Sequence, residues 1–371
     1  MIIIFLVVLL LVCYGILMNY YRRGWKSLPD FFPSDSLSAL KVSVIIPARN
    51  EEQNMGSLLS ALQRQTYSKD LLEIIVVDDH STDKTVEVVG QFPGVRLLQL
   101  KHDNINSYKK KALETGIAAA TGQLIVTTDA DCLPADQWIA TLVSFREKTA
   151  STFIVAPVVL DENGGVLQLF QAMDFMILQG ITASSVHLNM HAMCNGANLA
   201  YDRNAFFAVK GFEGIDGIAS GDDMLLMHKM KTTFPGKIGY IKSESAIVRT
   251  KPMTTWPAFF NQRIRWASKA RHYQDKSIFW ALLLVYLFNL SFLLLLIAGF
   301  LNPYYWMAFM LLLFAKTTIE LPFFNSVKNF YRKPWSPVQF FVFQPLHIAY
   351  TILSGLFGQL GRYEWKGRSV K

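Results

Sequence analysis

VSVIIPA at residues 42–48 and QLIVTTDAD at 123–131 decide the fold, with EIIVVDD (73–79) and VRLLQL (95–100) between them. Each run is short, β-branched and almost continuously apolar. Parallel strands covered by helices on both faces have this composition. The segments 51–65, 83–91 and 107–121 carry helical spacing, and Asn50 and Thr82 stand where two of those helices would be capped. Strand alternating with helix predicts an α/β domain built on a Rossmann-like, mostly parallel sheet.

On either side of this core the composition changes. Of 371 residues 51% are apolar or aromatic and 17% charged, which excludes a disordered or fibrous chain, and the apolar residues concentrate at the two ends. Residues 1–20 (MIIIFLVVLLLVCYGILMNY) contain no charge and, at about 1.5 Å per residue, reach about 30 Å, one hydrocarbon thickness. With no basic residue before the apolar run and no small-x-small site after it, an uncleaved anchor is expected rather than a signal peptide. Residues 278–300 and 303–320 form a second and third run, split at Asn302 and Pro303. A fourth, 338–360, contains Gln344, Pro345 and His347, so two or three C-terminal spans are expected.

The expected organisation is therefore an anchor over 1–20, one large α/β domain over 21–277 with an interfacial helix at 254–275, and a membrane region over 278–371. Arg22, Arg23 and Lys26 follow the anchor directly, which places the large domain on the cytoplasmic side of the cytoplasmic membrane. The net charge of +8 is spread without any nucleic-acid-binding pattern, so anionic headgroups rather than nucleic acid are the expected partner. Cys13, Cys132 and Cys194 have neither disulfide-framework nor zinc-site spacing.

In a sheet of this kind ligands sit beyond the carboxyl ends of the strands. Three such ends are polar here: Pro47-Ala48-Arg49-Asn50-Glu51, Asp78-Asp79-His80-Ser81 and Asp129-Ala130-Asp131. Neither the dinucleotide nor the P-loop glycine motif occurs. Asp129 and Asp131 flank a single alanine, and in extended geometry their side chains would share a face. Paired carboxylates suit a hard divalent cation that keeps waters and binds phosphate oxygens, Mg²⁺ or Mn²⁺; a solvated loop is the alternative. Ser220-Gly221-Asp222-Asp223 precedes an amphipathic run, where the aspartates could equally cap a helix. Gln262, Arg265 and Trp266 fall on one helix face, and Arg263, Lys269 and Arg271 could touch headgroups.

Taken in order, VSVIIPARNEE, VVDDHSTDKT, TTDADC, SGDD and QRIRW resemble the family 2 glycosyltransferases of the GT-A fold, over roughly residues 42–266. The Gln-x-x-Arg-Trp motif before C-terminal membrane helices is similar to that of the membrane-embedded branch, which includes ceramide glucosyltransferases and processive polysaccharide synthases. The resemblance implies a nucleotide-sugar donor held by Pro47, Arg49, Glu51, Asp78 or Asp79, Lys109, Asp129, Gln262, Arg265 and Trp266. Lys110 and Lys111 could equally be an exposed basic turn. It implies Mg²⁺ or Mn²⁺ on Asp131 beside Asp129, and a general base at Asp223, with Asp222 where the family often has glutamate. Gly196 and Asn198 fall in a segment like the family's acceptor region.

The activity this implies is inverting transfer of a sugar from a nucleotide sugar, expected to be a UDP-sugar, to a membrane lipid at the cytoplasmic face. A processive polysaccharide synthase is the first alternative, although three or four spans give little wall for a polymer channel. A sugar-phosphate transferase is more distant. A transporter would rest on Lys316, Glu320 and His347, but Lys316 and Glu320 are spaced to pair with each other.

Overall fold

The computed structural model describes residues 2–34, 38–101, 107–162, 164–190, 193–218, 220–268, 275–360, 363–365 and 368–370. The expected headgroup contacts Lys269 and Arg271, and the tail residues Arg362, Lys366 and Lys371, lie outside the described residues. The chain divides into two units. One, the sheet unit, comprises residues 29–161 and 193–251 with the last two residues; the other, the helical unit, comprises 1–28, 162–192 and 252–369.

The elements are numbered along the chain. In the sheet unit β1 (Val42–Ala48), α2 (Glu52–Gln63), β2 (Leu72–Asp78), α3 (Thr85–Gly90), β3 (Val95–Gln99), α4 (Tyr108–Ala119) and β4 (Leu124–Thr127) realise the alternation read from the sequence. β5 (Leu133–Pro134), α5 (Trp138–Thr149), β6 (Phe153–Val155) and β7 (Val158–Leu160) follow. After an excursion into the helical unit come β8 (Leu199–Asp202), α7 (Arg203–Ala208), α8 (Met224–Thr233), β9 (Ile238–Tyr240) and β10 (Val248–Thr250).

Seven strands form one sheet in the order β3-β2-β1-β4-β8-β6-β9. β1 to β4 are mutually parallel, β8 runs antiparallel to both β4 and β6, and β6 is parallel to β9. β5, β10 and β7 make a second, three-stranded sheet. Val44, Ile45, Ile46, Ile75, Val76, Val77, Ile125 and Val126 are fully buried, as continuously apolar parallel strands should be. Gly116 lets α4 lie close on this sheet, because a Cβ there would stand 2.5 Å from Ile45 Cγ2.

Two local expectations are corrected. β4 stops at Thr127, and the Cys132 N–H donates to the Asp129 carbonyl at 3.2 Å, so Asp129 and Asp131 lie in a turn rather than on one face of a strand. Asn50 and Thr82 do not cap; Glu51 and Lys84 occupy those positions. Asn50 has φ 53°, its Oδ1 accepts from Thr82 N–H at 2.8 Å and its N–H donates to Ser81 Oγ at 2.9 Å, which ties the loop after β1 to the loop after β2.

The helical unit contains α1 (Ile2–Ser27), α6 (Val166–His187), α9 (Trp256–Ser268), α10 (Lys276–Gly299), α11 (Tyr304–Phe330) and α12 (Pro337–Leu360). All but α9 are long and apolar enough to cross a membrane by length and composition. α6 is an apolar helix absent from the sequence reading, because Gln171, Asp174 and Gln179 interrupt it. It cannot cross: β7 precedes it and β8 follows it, and β8 pairs with β4 and β6, so a crossing would put hydrogen-bonded strands on opposite sides of about 30 Å of hydrocarbon. α1 and α11 run beyond the expected spans, and α12 continues through Pro345 without a break.

Two polar clusters join these helices. Lys316 Nζ lies 2.6 Å from both Glu320 Oε1 and Gln344 Oε1, Gln344 Nε2 donates to Glu320 Oε2 at 2.6 Å, and the Tyr14 hydroxyl also donates to Glu320. Asp174 receives Arg263 at 2.9 Å, His347 at 3.0 Å and the Tyr350 hydroxyl at 2.6 Å. The residues on which a transporter reading would rest are thus engaged with partners inside the bundle. Arg263, expected at headgroups, is instead buried, with its guanidinium 4.3 Å from the Trp266 ring centre.

Candidate active site

The carboxyl ends of β1, β2 and β4 carry the candidate residues, and the structure gathers them into two neighbouring groups. At the first, Asp79 N–H donates to the Ala48 carbonyl at 2.7 Å, and Arg49 Nη1 donates to the Asp79 carbonyl at 2.9 Å, with Asp79 Oδ1 3.8 Å away. His80 Nδ1 lies 3.0 Å from the same Oδ1. Asp78 receives the Ser81 N–H at 3.3 Å, which closes the turn after β2. Glu51 takes a side-chain bond from Asn54 at 2.7 Å, and its N–H reaches the buried Thr85 hydroxyl at 2.7 Å. Pro47 lies on β1 opposite Val77. Asp78 and Asp79 are both buried, and both are engaged in shaping these loops.

The second group centres on Lys109, in the first turn of α4. Its Nζ stands 2.7 Å from Asp129 Oδ1 and 3.1 Å from Asp222 Oδ2. Burial disfavours this ammonium, but Asp129 and Asp222 outweigh it and hold its pKa above the ordinary lysine value. Asp223 is the N-cap of α8: Oδ1 accepts from Met224 N–H at 2.7 Å, and Oδ2 accepts from Gly196 N–H at 3.2 Å. A Cβ on Gly196 would lie 3.1 Å from Asp222 Oδ2 and 3.3 Å from Lys109 Nζ. The missing side chain therefore gives room to the charged cluster itself. The cap weighed from the sequence is present at Asp223, and each of its oxygens accepts from one backbone N–H.

Asn198 does not face this cluster. It is fully buried, accepts from Trp138 Nε1 at 2.9 Å, and donates to the carbonyls of Pro157 and Ala246 at 2.8 Å each. It fixes the segment after Gly196, and Thr128 Oγ1 adds a bond to the Ala197 carbonyl at 2.9 Å. Gln262, Arg265 and Trp266 lie on α9 in the helical unit. Trp266 is stacked under Arg263, so one face of the ring is already used.

Asp129 and Asp131 are half-exposed and present hard oxygen donors. Burial and then both carboxylates push the neighbouring Cys132 thiol well above its usual pKa, the signature of a negative field at this turn. Lys109 occupies one oxygen of Asp129, and Asp131 Oδ1 accepts from Cys132 Sγ at 3.7 Å. Among the described residues no group of three or more His, Cys, Asp or Glu is arranged to hold an ion. A divalent cation fits only in the manner that uses one or two protein carboxylates with phosphate oxygens and water.

One contributor was misjudged from the sequence. Lys110, read as equally an exposed turn, is buried and donates to the carbonyls of Ile215 and Ile218 at 2.6 Å each and of Ser220 at 2.9 Å. Its signal was spacing: on a helix successive residues point about 100° apart, so Lys109, Lys110 and Lys111 span about 200° and cannot all share one narrow face. Lys111 is the half-buried one, paired with Glu114 at 2.8 Å.

Residues 43–206 match the family model described as Glycosyl transferase family 2. The chain is 29% identical over 264 residues to the probable glycosyltransferase YdaM of Bacillus subtilis, covering 67% of this chain and 56% of that protein. It is 30% identical over 128 residues to dodecaprenyl-phosphate galacturonate synthase of Rhizobium johnstonii, covering 33% of this chain and 37% of that one. The chain thus spans about half or less of these curated relatives' length. Its fold is similar to that of the mannosyltransferase PcManGT from Pyrobaculum calidifontis, solved with GDP-Man and Mn²⁺, with a TM-score of 0.58 at 18% identity, over 96% of this chain and 99% of that one. The architecture is GT-A-like.

Proposed function

We propose that the protein transfers a single sugar from a nucleotide sugar to a membrane lipid at the cytoplasmic face, with inversion at the anomeric carbon. The observation that carries this reading is the arrangement around Lys109, whose ammonium meets Asp129, just beyond β4, and Asp222, the neighbour of Asp223 at the start of α8. Asp223, oriented by Gly196 N–H, takes the proton of an acceptor hydroxyl. The acceptor oxygen forms its bond to the anomeric carbon as the carbon–oxygen bond to the nucleoside diphosphate breaks on the opposite face. Lys109 holds positive charge beside the donor-side aspartate throughout. Arg49, Glu51 and the Asp78-Asp79 loop form the wall for the nucleoside. A divalent cation on Asp131, when bound, would neutralise charge on the departing diphosphate.

A lipid acceptor is supported by the apolar helices that surround the domain in sequence, and by the relative named for a dodecaprenyl phosphate. The helical unit supports a cytoplasmic tail as well. Trp335 and Lys333, just before α12, bond to Glu162, two residues beyond β7. At its other end α12 runs beside α9, with Tyr350 against Phe259 and Gly358 against Ala267. Both ends of α12 are thus tied within the helical unit, which supports a helix lying along the interface.

The test is direct. Purified protein is incubated with a panel of nucleotide sugars, Mg²⁺ or Mn²⁺ and extracted membrane lipids, and the products are identified by mass spectrometry. A lipid heavier by one intact sugar is expected. A long polysaccharide with no glycolipid would establish the processive alternative, and transfer of a sugar phosphate would overturn the proposed chemistry.

A further inference from the structure

Lys110 is 2% exposed, and a buried ammonium is costly unless its donors are matched. Its three N–H donors meet three backbone carbonyls, those of Ile215, Ile218 and Ser220. These carbonyls belong to the stretch between α7 and α8, whose described residues form neither helix nor strand and which passes through positive φ at Gly214 and Gly221. Its internal backbone bonds are short turns, Glu213 N–H to the Lys210 carbonyl, Ile215 N–H to that of Phe212 and Ile218 N–H to that of Ile215, and lysine side chains of two helices add to them. Lys229 of α8 does the same work at the other end, donating to the carbonyls of Gly211 and Glu213 at 2.6 and 2.8 Å. The segment is therefore suspended between two ammonium groups from two helices.

The last carbonyl gripped by Lys110 is that of Ser220, two residues before Asp222 and separated from it by Gly221 at φ 83°. Lys109, the next residue back on α4, binds Asp222 itself. One turn of one helix thus holds both the backbone leading into the acidic pair and the carboxylate of its first member. We propose that Lys110 is a positioning residue for the acidic pair: its ammonium acts as a tethered cation in a carbonyl nest and sets where Asp222 and Asp223 stand relative to Lys109 and Gly196. This inference rests on the glycosyl-transfer reading for its kinetic consequence, though not for its structural one.

The geometry makes Lys110 replaceable by a free cation of similar size. Lys110→Met should fold and bind nucleoside diphosphate within about threefold of the parent, while turnover falls about 10²-fold, the usual consequence of misplacing a reacting group by about 1 Å. Lys110→Ala should lose turnover likewise and regain part of it on addition of methylammonium, whereas Asp223→Asn should gain nothing from the same addition. Hydrogen exchange of amides 215–223, measured without any substrate, should quicken in Lys110→Met while the strands stay protected. Unchanged exchange there, or parental turnover in Lys110→Met, overturns the inference. So does loss of the sheet's protection in both variants with no recovery in methylammonium, which would make Lys110 a core residue only. If the parent protein transfers no sugar at all, the function fails while the exchange measurement still decides the role of Lys110.

Discussion

The backbone N–H of Gly196 donates to Asp223 Oδ2 at 3.2 Å, so the carboxylate proposed as the base is oriented by a residue that has no side chain. Gly196 has ordinary backbone torsions, and its requirement is spatial. Gly196→Ala should leave the protein folded but press on Asp222 and Lys109, lowering kcat about tenfold to a hundredfold. Steady-state kinetics with the best donor would check this, and an unchanged kcat would show that the cluster has room to spare.

Asp223→Asn keeps a side-chain acceptor for Met224 but cannot take a proton at neutral pH. Transfer to a hydroxyl acceptor should fall by about 10² to 10⁴, with nucleoside diphosphate binding intact. An acceptor that is already ionised, such as a lipid phosphate, needs no base; full activity of Asp223→Asn would therefore replace the proposed hydroxyl acceptor by a phosphate. Activity lost in Asp222→Asn but kept in Asp223→Asn would move the base by one residue.

The raised pKa of Lys109 fixes the sign of its pH effect. A lysine stabilised as a cation in the fold contributes stability that is fully present below its unfolded value, about pH 10.4, and lost as pH rises through the higher folded value. Thermal unfolding followed from pH 7 to pH 11 should show parent and Lys109→Gln converging only above about pH 10.4. Convergence by pH 8 would mean that the ammonium is not held by Asp129 and Asp222 in solution.

Chelation should abolish transfer, and Asp131→Asn should weaken divalent-ion-dependent donor binding far more than donor binding without added ion. Isothermal titration with Mn²⁺ and nucleoside diphosphate separates the two. Full activity in excess EDTA would remove the metal from the reading.

A cysteine introduced at Ser369 in a chain lacking its other cysteines should resist an impermeant thiol reagent in intact cells and react after permeabilisation. Labelling in intact cells would mean that α12 crosses the membrane.

The strands β1 to β4 were legible because burial on both faces leaves little but β-branched residues, and the order of polar strand ends pointed to the site. What the sequence could not show follows from physics that acts across distance. Asp129 and Asp131 read as strand neighbours because the apolar run continues into polar threonines without punctuation, and only the turn closed by Cys132 ends it. α6 was invisible as an apolar helix because its interior polar residues are satisfied by partners far along the chain, Asp174 by Arg263 and Tyr350. Lys110 looked like surface because nothing local announces that three carbonyls will converge on it. Asn198 looked like a ligand contact for the converse reason: a buried amide that holds two loops has the same letter as one that holds a sugar.

The helical unit is assembled from the first, middle and last parts of the chain, and this sets an order of events during synthesis. The Arg263 partner of Asp174 leaves the ribosome 89 residues after it, and Tyr350 follows 176 residues after it. Tyr14 waits 306 residues for Glu320. Throughout that interval a long apolar helix carrying an unpaired carboxylate must be kept from both the bilayer and its neighbours, a period in which a nascent chain is exposed to aggregation and to chaperones. A chain terminated after residue 251 would contain nearly all of the sheet unit and still lack every partner of Asp174, so expression truncated there should yield degraded or chaperone-bound protein rather than a soluble catalytic fragment.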